Sequence, residues 1–504
     1  MSVHESFKNH CEHYKDARVN AQGKKKVAIV GGGPSGLVSL RRVLDSFSLI
    51  GTLIEQKDDV GGIWYYKDEK KFPASSQNST DSLDDLDNPE NTTAMYDNLS
   101  CNLPYVLLEL RDFKHERFAY TFATQQQVHH YLREYATHFN LWPHIRLNTS
   151  VVDVRPEFET LREGTSGKWI IETHNLQTNT FSSEIYDAVM ICTGKHAYPY
   201  QRPIPGLKTF KGKVMHAKFF KNADDFIDQS VVLIGLGPSA ADLALVLSTT
   251  AKKITVCHKF INGKKLGIVP KNVHQMSCVK KVTGDGIVTE ENERVSCDCI
   301  IFCTGYGIKF PFLNPSCGVT IVEEKYVPHL YNKMIFTKRP TLFFLNLCYQ
   351  TPEYVCMEIQ VCYAVNYLEG YTKLPSFQDM EAAVKAEEED KIQREHPHSL
   401  WLQIGDLSAD ATWNYFWRIA EEIGIKDQFK DGPLLEQVYR ISMQRMFGSL
   451  AIYKSDRLRI RTQTMWEYML AAKPEFPDSK FEIVTIIANP DFTASVERLQ
   501  LSDG

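Results

Sequence analysis

The 504-residue sequence has no C-x-x-C pair, which excludes a redox dithiol of the thioredoxin type and a zinc ribbon. Its 12 cysteines are scattered, and the single C-x-C, Cys297 and Cys299, has strand spacing and no second pair. A reduced chain is the simplest reading. No run of about 18 apolar residues occurs, so no membrane-spanning helix is expected. The nearest stretch, Val231 to Leu247, is broken by Gly237-Pro238 and carries Asp242. The N-terminus lacks the apolar core of a secretory signal, and its acidic residues argue against a mitochondrial presequence. Leu501 to Gly504 carries no targeting signal. A cytoplasmic location is therefore expected. Charge of one sign is also lacking: 57 basic against 62 acidic residues leave a net −5 and exclude a nucleic-acid footprint. G-x-S-x-G, H-E-x-x-H and the P-loop lysine motif are absent, and no metal ligand set is assigned.

What is present is a globular composition, 43% hydrophobic, with 27 Phe, 23 Tyr and 7 Trp to build a large core. Residues 1–24 form a polar tail. Lys26 to Val30 reads as a buried strand, Pro34 to Phe47 as a helix and Leu53 to Glu55 as a second strand. Ala74 to Thr93 is Ser/Asp/Asn-rich and reads as a long surface insertion. Gln125 to His138 has helical period, and strand-like runs lie between Val151 and Cys192. A second strand begins at Ser230, and further strands are expected at Ile254 to Cys257 and Cys299 to Phe302. Beyond about residue 376 the pattern is mostly helical. Glu381 to Glu395 is a charged helix with Met380, Val384 and Ile392 as sparse apolar positions.

One large-scale duplication organises the chain. A strand, a glycine turn and a helix occur twice, about 200 residues apart, and each copy leads to a strand ending in Thr-Gly: Thr193-Gly194 and Thr304-Gly305. The first turn is Gly31-x-Gly33-Pro34-Ser35-Gly36. Its glycines permit a tight turn, close approach of a pyrophosphate and close helix–strand packing. Glu55 ends the next strand, where a carboxylate accepts hydrogen bonds from an adenosine ribose. The second turn is Gly235-x-Gly237-Pro238-Ser239-Ala240, with Asp242 on the helix after it as a capping, packing or cofactor-facing carboxylate. Its next strand runs into His258 and Lys259 rather than an acid, so a 2′-phosphate is attracted, not repelled. Two such sites imply electron transfer between two nucleotides, with FAD at the first and NADPH at the second.

Four further motifs resemble the flavin-containing monooxygenase family. These are Gly61-Gly62-Ile63-Trp64; Phe210-x-Gly212-x3-His216-x3-Phe220-Lys221; Asp298-x3-Phe302-Cys303-Thr304-Gly305-Tyr306; and Leu99-Ser100-Cys101-Asn102-Leu103-Pro104. The resemblance runs from about Lys24 to about residue 375. Cys303 stands where the family has Ala, and Cys101 where it has Ser or Thr. The resemblance implies an α/β fold of two Rossmann-like domains, the NADPH domain inserted into a larger discontinuous FAD domain. The expected boundaries are 25–205 for the first FAD part, 206–305 for NADPH, and 306–504 for the second FAD part with a helical C-terminal region. It implies oxygenation of a soft nitrogen or sulfur of a small nucleophilic substrate by O2 through a flavin hydroperoxide. Asn102 is implied as the residue holding the oxygen or the nucleotide ribose, with Gly62, Ile63, Trp64 and Leu103 near the flavin. His216 and Phe210 brace the link between domains. An NADPH oxidase releasing H2O2 uses the same residues. A Baeyer–Villiger oxygenase is disfavoured by Phe220-Lys221, where such enzymes carry Trp followed by Pro or Asp. A non-enzymatic protein on the same scaffold needs only one glycine turn. Oligomerisation is open.

Overall fold

The computed structural model describes residues 23–66, 93–114, 121–158, 162–259, 265–405, 408–471, 481–489 and 493–499. Most of the tail and of the Ala74 to Thr93 insertion lies outside them. The first unit starts with β1 (Lys25–Val30), enters helix α1 (Pro34–Asp45) and returns as β2 (Leu49–Ile54). The apolar run of β1 is buried on both faces, as a central parallel strand requires. β1 pairs in parallel with β2 on one side and with Ala188–Ile191 on the other. The full sheet has seven strands. Ile145–Arg146 lies at one edge, and Leu342–Phe344, Ile335–Phe336 and Leu330–Tyr331 extend the other. Helix α2 (Gln125–His138) opens on a capping box at Thr124 and Gln127, and its Val128, Tyr131, Leu132 and Tyr135 face the core.

The second sheet has five strands, all parallel: Val273–Met276, Lys253–Cys257, Ser230–Ile234, Cys299–Phe302 and Lys213–His216, in that order. Helix α3 (Pro238–Leu247) follows its central strand. The sequence thus folds as two α/β units, the second sheet wholly parallel and the first parallel except where Ile335–Phe336 runs antiparallel to both its neighbours. Four longer helices follow: α4 (Glu353–Glu369), α5 (Phe377–Gln393), α6 (Ala409–Glu422) and α7 (Gly432–Gly448). On α5, Met380 and Val384 are buried, but Ile392 is 61% exposed, and the neighbouring Lys391 is buried instead.

The helical expectation fails at the C-terminus. Arg457–Ile460, Met465–Ala471, Phe481–Ala488 and Ala494–Leu499 form a four-stranded antiparallel sheet. Along Met465–Ala471, Trp466, Tyr468 and Leu470 are buried while Met465, Glu467 and Met469 are only half-buried. This period-two pattern is a strand signal, and the helices before it obscured it. The sheet belongs to the first unit's core: Trp466, Tyr468, Val484 and Ile486 share one buried cluster with β1, α1, α4 and α6.

Candidate functional site

Each glycine turn is shaped by its Thr-Gly strand. Gly31 has φ +105° and Gly235 φ +110°, a backbone region that side chains rarely adopt. A Cβ on Gly31 would lie 2.7 Å from the Cys192 carbonyl oxygen, and one on Gly235 2.6 Å from that of Cys303. The duplication seen in the sequence is therefore also a duplication of contacts. Helix α1 begins just after Gly33 and helix α3 just after Gly237, and neither has a side-chain cap at its N-terminus. Their first N–H groups are open to an anion, at the positive end of the helix dipole.

A cavity of about 430 Å³ opens over the first turn. Gly31, Gly33, Pro34, Ser35, Glu55, Gly62, Ile63 and Trp64 line it, as do Thr193 and Gly194. Glu55 is buried; its carboxylate accepts N–H hydrogen bonds from Gly32 (2.5 Å) and Lys57 (2.8 Å). Burial raises its pKa from the ordinary value, and these two backbone donors act against the rise. Trp64 both lines the cavity and packs against the core. Sequence reasoning missed the wall supplied by α4, Glu353, Tyr354 and Met357, and by Asn346 and Lys195. Lys195 is 4% exposed and forms a 3.0 Å ion pair with Glu353. An apolar buried helix nearly 300 residues from Glu55 carries no local signature of such a role.

The second turn lies outside this cavity's lining. Ala240 is fully buried and Ser239 half-buried. Lys259 is exposed beyond Lys253–Cys257, whereas His258 is 3% exposed and is not available at the surface beside it. Thr304 Oγ1 donates to the Tyr200 carbonyl, and the Gly305 carbonyl accepts from Tyr200 N–H (3.0 Å). That carbonyl also accepts from His216 Nε2 (2.9 Å), while His216 Nδ1 accepts from Lys218 N–H (3.1 Å). The two contacts require a neutral imidazole with its proton on Nε2. Burial accordingly pushes its pKa down to about 4. Phe220 is fully buried against Tyr96 and Phe226, and Lys221 Nζ donates to the Thr93 and Met95 carbonyls (2.6 and 3.1 Å). The Phe210 to Lys221 motif thus braces the 93–97 segment on the second sheet. Phe210 itself packs against that unit's core.

Asn102 and Leu103 do not line the cavity. Leu103 packs on the core of the first unit. Asn102 instead belongs to a polar cluster: its Oδ1 accepts from Lys454 Nζ (2.9 Å) and Tyr453 Oη (3.1 Å). Asp242, 5% exposed, lies 3.3 Å from Lys454 Nζ through one oxygen and accepts from Tyr96 Oη through the other. Its carboxylate is committed to protein partners, so the packing alternative for Asp242 is the one the geometry favours. Neither Tyr453 nor Lys454 stands out in the sequence.

Among the described residues no group of three or more His, Cys, Asp or Glu is arranged to hold a metal ion, and no helix is long and apolar enough to cross a membrane. The family described as flavin-binding monooxygenase-like matches residues 24–266 and 258–467. The chain is similar to flavin-containing monooxygenase FMO GS-OX-like 4 of Arabidopsis thaliana, 32% identical over 71% of this chain and 79% of that protein. It is also similar to senecionine N-oxygenase of Tyria jacobaeae, 28% identical over 89% and 92% of the two chains. Its fold resembles that of S-allyl-L-cysteine S-oxygenase from Allium sativum, with a TM-score of 0.73, 23% identity, and coverage of 86% of this chain and 95% of that one.

Proposed function

The chain belongs to the flavin-binding monooxygenase-like family, and on that premise we propose that it is an NADPH- and O2-dependent oxygenase of soft nitrogen or sulfur nucleophiles, with FAD as its resident cofactor. One observation carries the reading. Two glycine turns of matching geometry lie on one chain, the first followed by a buried acid, Glu55, and the second by an exposed cation, Lys259. The donor set of the first site fits FAD. The uncapped N-terminus of α1 takes the pyrophosphate, Glu55 the ribose hydroxyls, and the wall of Trp64, Tyr354 and Met357 the ring. The uncapped N-terminus of α3, with Ser239, takes the NADPH pyrophosphate, and Lys259 its 2′-phosphate.

Bound FAD supplies the redox chemistry by which electrons from NADPH activate O2. The protein's share is positioning and exclusion of water. The neutral His216 holds the Gly305 end of the second sheet beside Tyr200. Asn102 offers its amide N–H groups to the oxygen or to the nucleotide ribose. On this reading 25–205 and 306–504 serve FAD, and 206–305 serves NADPH. On the same reading the protein works in the cytoplasm, where its scattered cysteines stay reduced.

The test supplies NADPH, isotopically labelled O2 and either a tertiary amine or a thioether. The account expects an N-oxide or sulfoxide carrying the label, with one NADPH consumed per product. Peroxide equal to NADPH consumed, with no labelled product from any substrate, would make the chain an NADPH oxidase instead.

A further inference from the structure

Lys454 sits in a short turn, Tyr453–Ser455, between α7 and the C-terminal sheet, 352 positions from Asn102. Its ammonium faces five oxygens. It donates to Ser100 O (2.7 Å), Ser100 Oγ (3.2 Å), Cys101 O (2.6 Å) and Asn102 Oδ1 (2.9 Å), and pairs with Asp242 at 3.3 Å. The side chains of Lys454 and Asp242 are 17% and 7% exposed, so water screens the pair little. The Phe122 and Tyr453 rings lie 5.6 and 5.4 Å from the ammonium.

This arrangement decides which way round the Asn102 amide stands. An ammonium can only donate, so the amide atom facing it must be the oxygen. With Tyr453 Oη as a second donor, both acceptor directions of Oδ1 are filled. Turning the amide over would set its NH2 against the ammonium, losing a charge-assisted hydrogen bond and adding repulsion. The Nδ2 group is therefore turned away from Lys454, and no partner for it is found among the described residues. Asn102 is thus presented as a donor of two N–H bonds. The same ammonium is anchored by Asp242, which lies on α3, the helix that starts at the second glycine turn. Tyr96, braced through Phe220, holds the other oxygen of that carboxylate.

We propose that Lys454 is a positioning residue of the oxygenating site: it locks Asn102 with its amide donors outward and ties that orientation, through Asp242, to the helix that begins at the NADPH turn. The inference rests on the function proposed above, because Asn102 needs a fixed orientation only if its donors meet a bound nucleotide or oxygen. Tyr453 supports the lock with a weaker, neutral hydrogen bond.

The test uses the flavin-loaded full chain and five variants: Lys454→Met, Lys454→Arg, Tyr453→Phe, Asn102→Ala and the double variant Lys454→Met/Asn102→Ala. Two quantities are read. One is the affinity of the oxidised protein for NADP+, followed by the change in flavin absorbance on titration. The other is peroxide released per NADPH. Lys454→Met is expected to weaken NADP+ binding about tenfold, the scale of one charge-assisted hydrogen bond, and to raise the peroxide share. Tyr453→Phe keeps the ring, and about threefold weaker binding in the same direction is expected. Lys454→Arg is expected to restore most of both quantities. The double variant should match Asn102→Ala alone, since Lys454 acts through that side chain.

Multiplying effects in the double variant would overturn the proposal by showing that Lys454 acts independently. So would unchanged NADP+ affinity and coupling in Tyr453→Phe, a measurement that stands even if Lys454→Met does not fold. Normal coupling in Asn102→Ala also overturns it. Failure of the underlying function looks different and shows in the unaltered protein: it would then either bind no flavin, or release one peroxide per NADPH consumed with every amine or thioether before any substitution is made.

Discussion

At the scale of single residues, three side chains carry distinct expectations. Glu55 holds two backbone N–H groups and faces the cavity. Glu55→Gln places an NH2 where a carboxylate oxygen accepted, so FAD retention should fall at least about tenfold in a fluorescence titration of the apoprotein. Lys259→Glu reverses the charge proposed to meet the 2′-phosphate. NADPH binding should weaken far more than NADH binding, and equal losses would remove Lys259 from that role. His216 makes a pH prediction. An unfolded chain protonates this imidazole near its ordinary value of about 6.5, whereas the folded protein resists until about pH 4. Between those values the unfolded state binds more protons, so lowering the pH costs stability, up to about 3 kcal/mol, and the loss is complete below the folded value. Above pH 7 the group contributes no pH dependence. His216→Gln keeps a donor for the Gly305 carbonyl and should lose less melting temperature than the unaltered protein across that window.

At the scale of elements, legibility follows the range of the interaction. The two glycine turns, the buried strands before them and the helical period of α2 were readable because each is specified within a dozen residues or so, whereas the capping box that opens α2 was seen only in the structure. Glu55 was readable because it closes a strand. The Asn102 partners were not, because Tyr453 and Lys454 lie 351 and 352 positions away and meet it only once the intervening chain has folded. The cavity wall from α4 was hidden likewise. The C-terminal sheet was lost for another reason: its alternation is short and follows four helices, which dominated the pattern. His258 was paired with Lys259 by adjacency, yet successive residues at the end of a strand face opposite ways, and only Lys259 is exposed. A Cβ on Gly36 would run into the Gly31 carbonyl. Gly36→Ala should therefore cost about 2–3 kcal/mol in chemical denaturation and much of the bound flavin. The second turn already has Ala240 at the matching position, so Ala240→Gly should change nucleotide binding little.

At the scale of the whole molecule, the two α/β units are not packed in isolation. Tyr96 and Phe122 from one side of the chain, and Met446, Leu450 and Tyr453 from the other, join the core of the second sheet. Lys454 and Asp242 make the polar counterpart of that joint. The C-terminal sheet, in turn, closes the core of the first unit. Both α/β units therefore depend on residues beyond 440, which explains how a segment without a recognisable motif reaches the site. The central claim is that one chain holds two nucleotides and passes electrons between them. It is tested most directly by mixing the purified protein with NADPH in the absence of oxygen and following its visible absorbance. The account predicts a yellow protein that NADPH bleaches and air recolours. A protein that stays colourless when offered FAD, or whose bound flavin NADPH does not bleach, would contradict it.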